Sequence, residues 1–122
     1  LASALDWARL GQLYLQNGQW DGRQILPNDW SAYVSRKTPE SGAKDYGAGF
    51  WTAESGGRDS QHLQLPKPPR DAYFMHGMMN QSVYILPRQS LVIVRLGATR
   101  SYLESGEWEL VADVAAARAS RR

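Results

Sequence analysis

Tyr73-Phe74-Met75-His76-Gly77-Met78-Met79-Asn80-Gln81 runs into Ser82-Val83-Tyr84-Ile85-Leu86-Pro87 and on through Leu91-Val92-Ile93-Val94-Arg95-Leu96-Gly97. The stretch reads as an aromatic approach, a turn at glycine, and two apolar strands over 81–86 and 91–96. Pro87-Arg88-Gln89-Ser90 supplies a short connection, so the two strands should pair as an antiparallel hairpin.

Working outward, Leu1-Ala2-Ser3-Ala4-Leu5-Asp6 enters an amphipathic pattern at once, with Ser3 as N-cap and Asp6 three residues on as the acidic partner of a capping box. Leu5, Ala8, Gly11 or Gln12, and Leu15 mark one stripe, widened by Trp7, Leu10, Leu13 and Tyr14, which predicts a helix to about Gln16. Asn17-Gly18 should end it, because glycine accepts the left-handed backbone found after a helix. A compact turn around Asp21-Gly22 comes next, then a short helix from Pro27 through about Ser35, with Asp29 in its first turn. Residues 36–45 are polar and broken by Pro39 and Gly42, as in an exposed loop. Tyr46-Gly47-Ala48-Gly49-Phe50-Trp51-Thr52 reads as a strand weakened by two glycines, where close backbone approach is a common reason for Gly. The long segment 54–71, with Gly56-Gly57 and Pro66-Lys67-Pro68-Pro69, suits a lid near a substrate entrance. A last helix is expected over about 106–118, with Glu107 and Glu109 in its first turn and Trp108, Val111 and Ala115 on one face.

At 122 residues, with 43% hydrophobic content, five Trp and six Tyr, the chain has room for one packed core and not two. The Trp residues at 7, 20, 30 and 51 are expected as packing anchors. No run is long enough to span a bilayer, and none reads as a targeting leader. The absence of Cys removes disulfides and thiolate metal sites, and leaves location open between periplasm and cytoplasm. His62 and His76 are the only histidines, with no carboxylates clustered near them in sequence, so neither a metal nor another cofactor is expected. A net charge of +2 is too small and scattered to argue for nucleic acid, and Arg118, Arg121 and Arg122 suit a solvated helix end.

The Ser3 to Arg9 start, the Gly18 to Gly22 turn, Ile25-Leu26-Pro27 followed by Trp30, the Tyr46 to Trp51 block and the hairpin come in a distinctive order. Together they resemble the C-terminal segment of the serine β-lactamase-related hydrolases, a family of class C β-lactamases, carboxylesterases, DD-peptidases and nylon-oligomer hydrolases. The resemblance covers nearly the whole length and implies residues 1–122 as a single C-terminal piece of a β-lactamase/transpeptidase-like α/β (α+β) domain, antiparallel strands flanked by helices. It also implies an activity: hydrolysis of ester, amide or β-lactam-like acyl groups through an acyl-enzyme.

That chemistry needs a Ser nucleophile with a Lys one helical turn later and a Tyr-containing motif, and neither motif is here. The isolated chain should therefore be inactive. What the resemblance assigns to it is the electrostatic component, a backbone N–H aimed at the oxyanion. On this sequence the donor would be Met78, with Gly77 allowing close approach and His76, Met79, Asn80 and Gln81 lining the substrate side. The esterase-like branch has a second glycine where Asn80 stands, and Asn tolerates the left-handed region better than most residues. His76 could equally be a strand-end histidine bonded to its neighbours, and Met75, Met78 and Met79 could be core filler or an adaptable pocket wall.

Two letter-matches are decoys. Ser41-Gly42-Ala43-Lys44 fits the nucleophile pattern but lies in a stretch that forms no buried helix start, and Tyr33-Val34-Ser35 falls on a helix surface. Alternatives of other classes are a non-catalytic, penicillin-binding-like peptide or cell-wall recognition module of the same fold and, more remotely, a basic-tailed nucleic-acid binder. The expected partners are the small-molecule substrate and the missing N-terminal portion. A chain starting at Leu1 should leave the hairpin with an uncovered apolar face and an unpaired edge, through which a homo-oligomer could form.

Overall fold

The computed structural model describes residues 1–42, 45–53, 67–100 and 106–121. Among them are three helices, α1 (Ala4–Leu15), α2 (Trp30–Val34) and α3 (Glu107–Ser120). The strands are β1 (Gln19–Trp20), β2 (Arg23–Gln24), β3 (Trp51–Thr52), β4 (Tyr73–Gly77), β5 (Gln81–Leu86) and β6 (Leu91–Arg95). β1 and β2 make a small antiparallel ribbon, and β3-β4-β5-β6 make an antiparallel sheet in that order. This is the mixed α/β class the sequence implies, with helices on the faces of the sheet.

Local chemistry explains most of the boundaries. The Ser3 hydroxyl accepts from the Asp6 N–H, and the Asp6 carboxylate accepts from the Ser3 N–H, so the capping box is complete with Asp in place of the longer Glu. At the other end of α1 the Gly18 N–H donates to the Leu13 carbonyl at 2.8 Å, with Asn17 at φ 53° and Gly18 at φ 79°. Asp21 and Gly22, at φ 47° and 71°, form the tight turn of the β1–β2 ribbon. β5 has the expected limits, and β6 stops one residue early, at Arg95. α3 runs two residues beyond the expected end, burying Trp108, Val111 and Ala115 as its face requires.

Three expectations are corrected. α2 begins at Trp30, not Pro27, because residues 27–30 form a separate turn, closed by the Trp30 N–H donating to the Pro27 carbonyl at 3.0 Å. The 46–52 block is mostly a turn: Gly47 donates to the Phe50 carbonyl at 2.7 Å, Gly49 takes φ 85°, and only Trp51–Thr52 joins the sheet. The close approach expected at a glycine there is real. A Cβ on Gly47 would lie against the Arg36 carbonyl and 2.9 Å from that of Val34. Finally, residues 73–77, read as an aromatic approach, form a full strand between β3 and β5.

Alternation along the strands sorts the core into two layers. Tyr73 and Ile85 face α1 with Val34 and Phe50, while Phe74, Tyr84 and Leu86 face α3 with Val111 and Ala115. The hairpin is therefore covered on both sides, contrary to the expected bare face: α1 packs on β5 and β6, and α3 lies opposite. Gly11 is the only buried residue of α1. It lets the helix approach so closely that a Cβ would sit 2.6 Å from Val92 Cγ1 and 3.2 Å from Val83 Cγ1.

Candidate functional site

β3 pairs with β4 only at Tyr73 and Phe74, so the β4 edge from Met75 to Gly77 has no β3 partner and borders an open cleft of about 320 Å³. Met75, His76 and Gly77 line it from β4, Gln81, Ser82 and Val83 from β5. Trp7 comes from α1, Leu96 follows β6, and the turn entering β3 supplies Tyr46, Gly49 and Trp51. The Tyr46 and Trp51 rings meet edge to face with centroids 4.7 Å apart, a fixed aromatic corner.

Of the residues the sequence singled out, His76, Gly77 and Gln81 line the cleft. Met78 and Met79 are exposed on the turn that follows β4, Met78 at 83%, and Asn80 is buried beneath it. That turn is held hard. Met79 and Asn80 take φ 62° and 60°, a left-handed pair that non-glycine residues adopt at a cost of about 1–2 kcal/mol each. The Asn80 side-chain amide donates to the Thr99 carbonyl at 2.7 Å, and the Thr99 N–H donates to the Met79 carbonyl at 3.0 Å. Arg95 donates to the Asn80 carbonyl at 2.6 Å and to the Thr99 hydroxyl at 2.5 Å. Asn80 thus keeps the turn where a glycine was expected and adds a bond that glycine could not make. Within the chain Gly77 is not strained: its φ is −117° and an added Cβ would meet only the Gln81 carbonyl at 3.8 Å.

On the α3 side of the sheet lies a polar cluster. His76 Nδ1 is 2.8 Å from Ser82 Oγ, its cross-strand neighbour, and 3.9 Å from Glu107 Oε1. Glu107, the first residue of α3, is 1% exposed. Burial alone would raise its carboxyl pKa, but the polar groups of His76, Ser82 and Tyr84 around it hold it below the ordinary value. From sequence alone Glu107 has only a helix-start role and no carboxylate clusters near either histidine; Glu107 is 31 residues from His76 along the chain and meets it only through the packing of α3 on the sheet. Ser82, His76 and Glu107 do not form a nucleophilic triad. Ser82 is 2% exposed, and both oxygens approach the same ring nitrogen, whereas a triad uses opposite ones.

The other candidates fall elsewhere. Trp7 and Trp30, expected as packing anchors, are 36% exposed each, and the deeply buried tryptophan is Trp108. Tyr33 is on an exposed helix surface, as expected of a decoy. Ser41 lies in a turn closed by its N–H to the Thr38 carbonyl, not at a helix start, while Ala43, Lys44, His62, Arg122 and the 54–66 part of the expected lid lie outside the described residues. Among the described residues there is no group of three His, Cys, Asp or Glu that could hold a metal, and no helix is long and apolar enough to cross a membrane.

Comparison with known proteins gives one consistent likeness. No family model matches the sequence, and no curated protein does. Among solved structures 28 chains match, one of them a provisionally named 6-aminohexanoate-dimer hydrolase from Bacillus anthracis. The two share 26% identity with a TM-score of 0.69 over 98% of this chain, and the chain spans about 30% of that protein's length. The likeness is one of fold and sequence together, and it supports the resemblance to the β-lactamase-like serine hydrolases at the level of the family.

Proposed function

We propose that the chain is part of a serine hydrolase that cleaves ester, amide or β-lactam-like acyl groups through an acyl-enzyme, its nucleophile lying elsewhere in the protein. The observation that carries this reading is the alignment of 98% of the chain with a protein provisionally named a 6-aminohexanoate-dimer hydrolase, together with a cleft on the β4 edge beside Gly77. In this reading the Met78 N–H stabilises the oxyanion, and the Gly77 backbone admits the acyl group. His76, Met79, Asn80 and Gln81 belong to the substrate side, and the Arg95–Asn80–Thr99 bonds keep the donor turn preorganised.

The test uses the whole protein. Its coding sequence should contain Ser-x-x-Lys and then Tyr-x-Asn or Tyr-x-Ser ahead of this segment, and a fluorophosphonate probe should label that Ser, with turnover of a short-chain chromogenic ester. The 122-residue chain alone should give background turnover and no label, because an oxyanion donor without a nucleophile has no acyl intermediate to stabilise. A whole protein that binds cell-wall peptide but neither labels nor turns over would overturn the enzyme reading in favour of a recognition module. Labelling at Ser41 would overturn the assignment of the nucleophile.

A further inference from the structure

Strand register fixes the floor of the cleft. Met75 pairs with Val83 and Gly77 with Gln81, so these four positions share the face of the sheet that packs on α1. Val94 pairs with Val83 on the far side, and Leu96, two residues on, returns to the same face. Gly77 adds no side chain to this row, and a Cβ there would meet only the Gln81 carbonyl at 3.8 Å, so the floor is open above it. The walls are aromatic. Trp7 comes from the first half of α1, whose start is fixed by the Ser3–Asp6 box, and the Tyr46–Trp51 corner stands at the open edge of β4. Trp7 is 36% exposed and Leu96 41%, so both keep apolar surface in water that the fold itself does not cover. Among the described residues that line the cleft there is no Lys, Arg, Asp or Glu. At about 320 Å³ the space lies at the small end of small-molecule sites, enough for a short alkyl chain or a single ring.

We propose that this slot, floored by Met75, Val83 and Leu96 and walled by Trp7 and the Tyr46–Trp51 corner, binds an uncharged apolar group, a short alkyl chain or one ring, carried by the ester or amide substrate. The place of that group in a cleaved substrate rests on the hydrolase reading; its binding does not. Burial of the group against these side chains is the driving force, so each added methylene should tighten binding by about two- to fourfold until the slot is full. Trp7 and Leu96 are then the residues that set chain-length preference, Trp7 by covering the group and Leu96 by limiting the room beneath it.

The experiment measures binding of two neutral amides, N-methylhexanamide and N-methylacetamide, to the whole protein by saturation-transfer NMR. Wild type should hold the hexanamide at least about tenfold tighter than the acetamide. Trp7→Ala should cut that ratio by about fivefold, Trp7→Phe should restore most of it, and Leu96→Trp, which fills the slot, should bring the ratio close to one. Equal binding of the two amides in wild type, or a wild-type ratio surviving in the folded variants, would overturn the proposal without touching the hydrolase reading, which stands or falls on fluorophosphonate labelling. An unlabelled protein that still shows the ratio and its loss in the variants would keep the slot and sink the reaction. In a labelled, active protein, turnover assigns the side of the scissile bond: p-nitrophenyl hexanoate preferred to p-nitrophenyl acetate places the group on the acyl side, and hexyl acetate preferred to ethyl acetate places it on the leaving-group side. Ester cleavage with no chain-length preference on either side would overturn the proposal.

Discussion

Gly77 is a residue that the proposed function uses and the fold does not need. Its φ is −117°, extended backbone open to any residue, and a Cβ there would make only an ordinary contact with the Gln81 carbonyl. Nothing in the chain itself requires glycine, so in the proposed reading its place is to admit what enters the cleft that Gly77 lines. In the whole protein Gly77→Val should therefore cost on the order of a hundredfold in turnover while shifting the melting temperature little, and Met78→Ala, which leaves the backbone N–H in place, should stay within about tenfold. Steady-state kinetics beside thermal unfolding checks both. Equal losses for the two variants would mean that the Met78 side chain acts in the reaction, and a Gly77→Val protein that loses stability in step with turnover would mean that the fold needs this glycine after all. Sequence reading reached Gly77 and His76 because motif spacing is local. It missed Glu107 beside His76, and it missed Trp7 and Trp51 as cleft walls, because those residues arrive from α3, α1 and β3, far away along the chain.

At the level of elements, what the sequence predicted well was whatever is settled within a few residues: the Ser3–Asp6 box, the Gly18 stop, the Asp21-Gly22 turn and the limits of β5. What it predicted poorly was decided by contacts across the fold. β4 lacked a clean strand signal because Met75, His76 and Gly77 weaken its pattern, yet pairing on both sides makes it a strand. The 46–52 block turned instead of extending because Gly47 packs on the carbonyls of Val34 and Arg36. Two glycines now separate two kinds of helix and turn packing. Gly11→Ala should gain about 1 kcal/mol of helix propensity and lose more through overpacking against the stiff Val92 and Val83 side chains, for a net loss of about 1–2 kcal/mol. Gly47→Ala should cost more than Gly11→Ala, because backbone carbonyls cannot move aside as side-chain methyls can. Denaturant unfolding of the two variants at unchanged slope would test the order, and the reverse order would mean that the 46–52 turn yields more readily than α1.

Over the whole molecule the balance between closure and incompleteness is uneven. Both faces of the β3-β4-β5-β6 sheet carry helices, so the core has no open side that would force a partner. Its edges differ. β3 is two residues long, but β6 is the terminal strand over Leu91–Arg95, and no other strand pairs with its outer side among the described residues. Proteins guard such edges with charge, bulges or cover. Here the one charged residue of β6, Arg95, is turned to Asn80 and Thr99 and does not guard the edge, while Leu91, Val92, Ile93 and Val94 are all only half-buried. Since the chain spans about 30% of the hydrolase it resembles, the remainder of the protein is the natural cover for β6 in our reading. The 122-residue chain on its own should then self-associate through β6 at micromolar concentration, and co-expression with the rest of the protein should replace those oligomers with a one-to-one complex. Size-exclusion chromatography with light scattering distinguishes the two, and a cooperatively folding monomer that ignores the remaining segment would show that β6 is a finished edge.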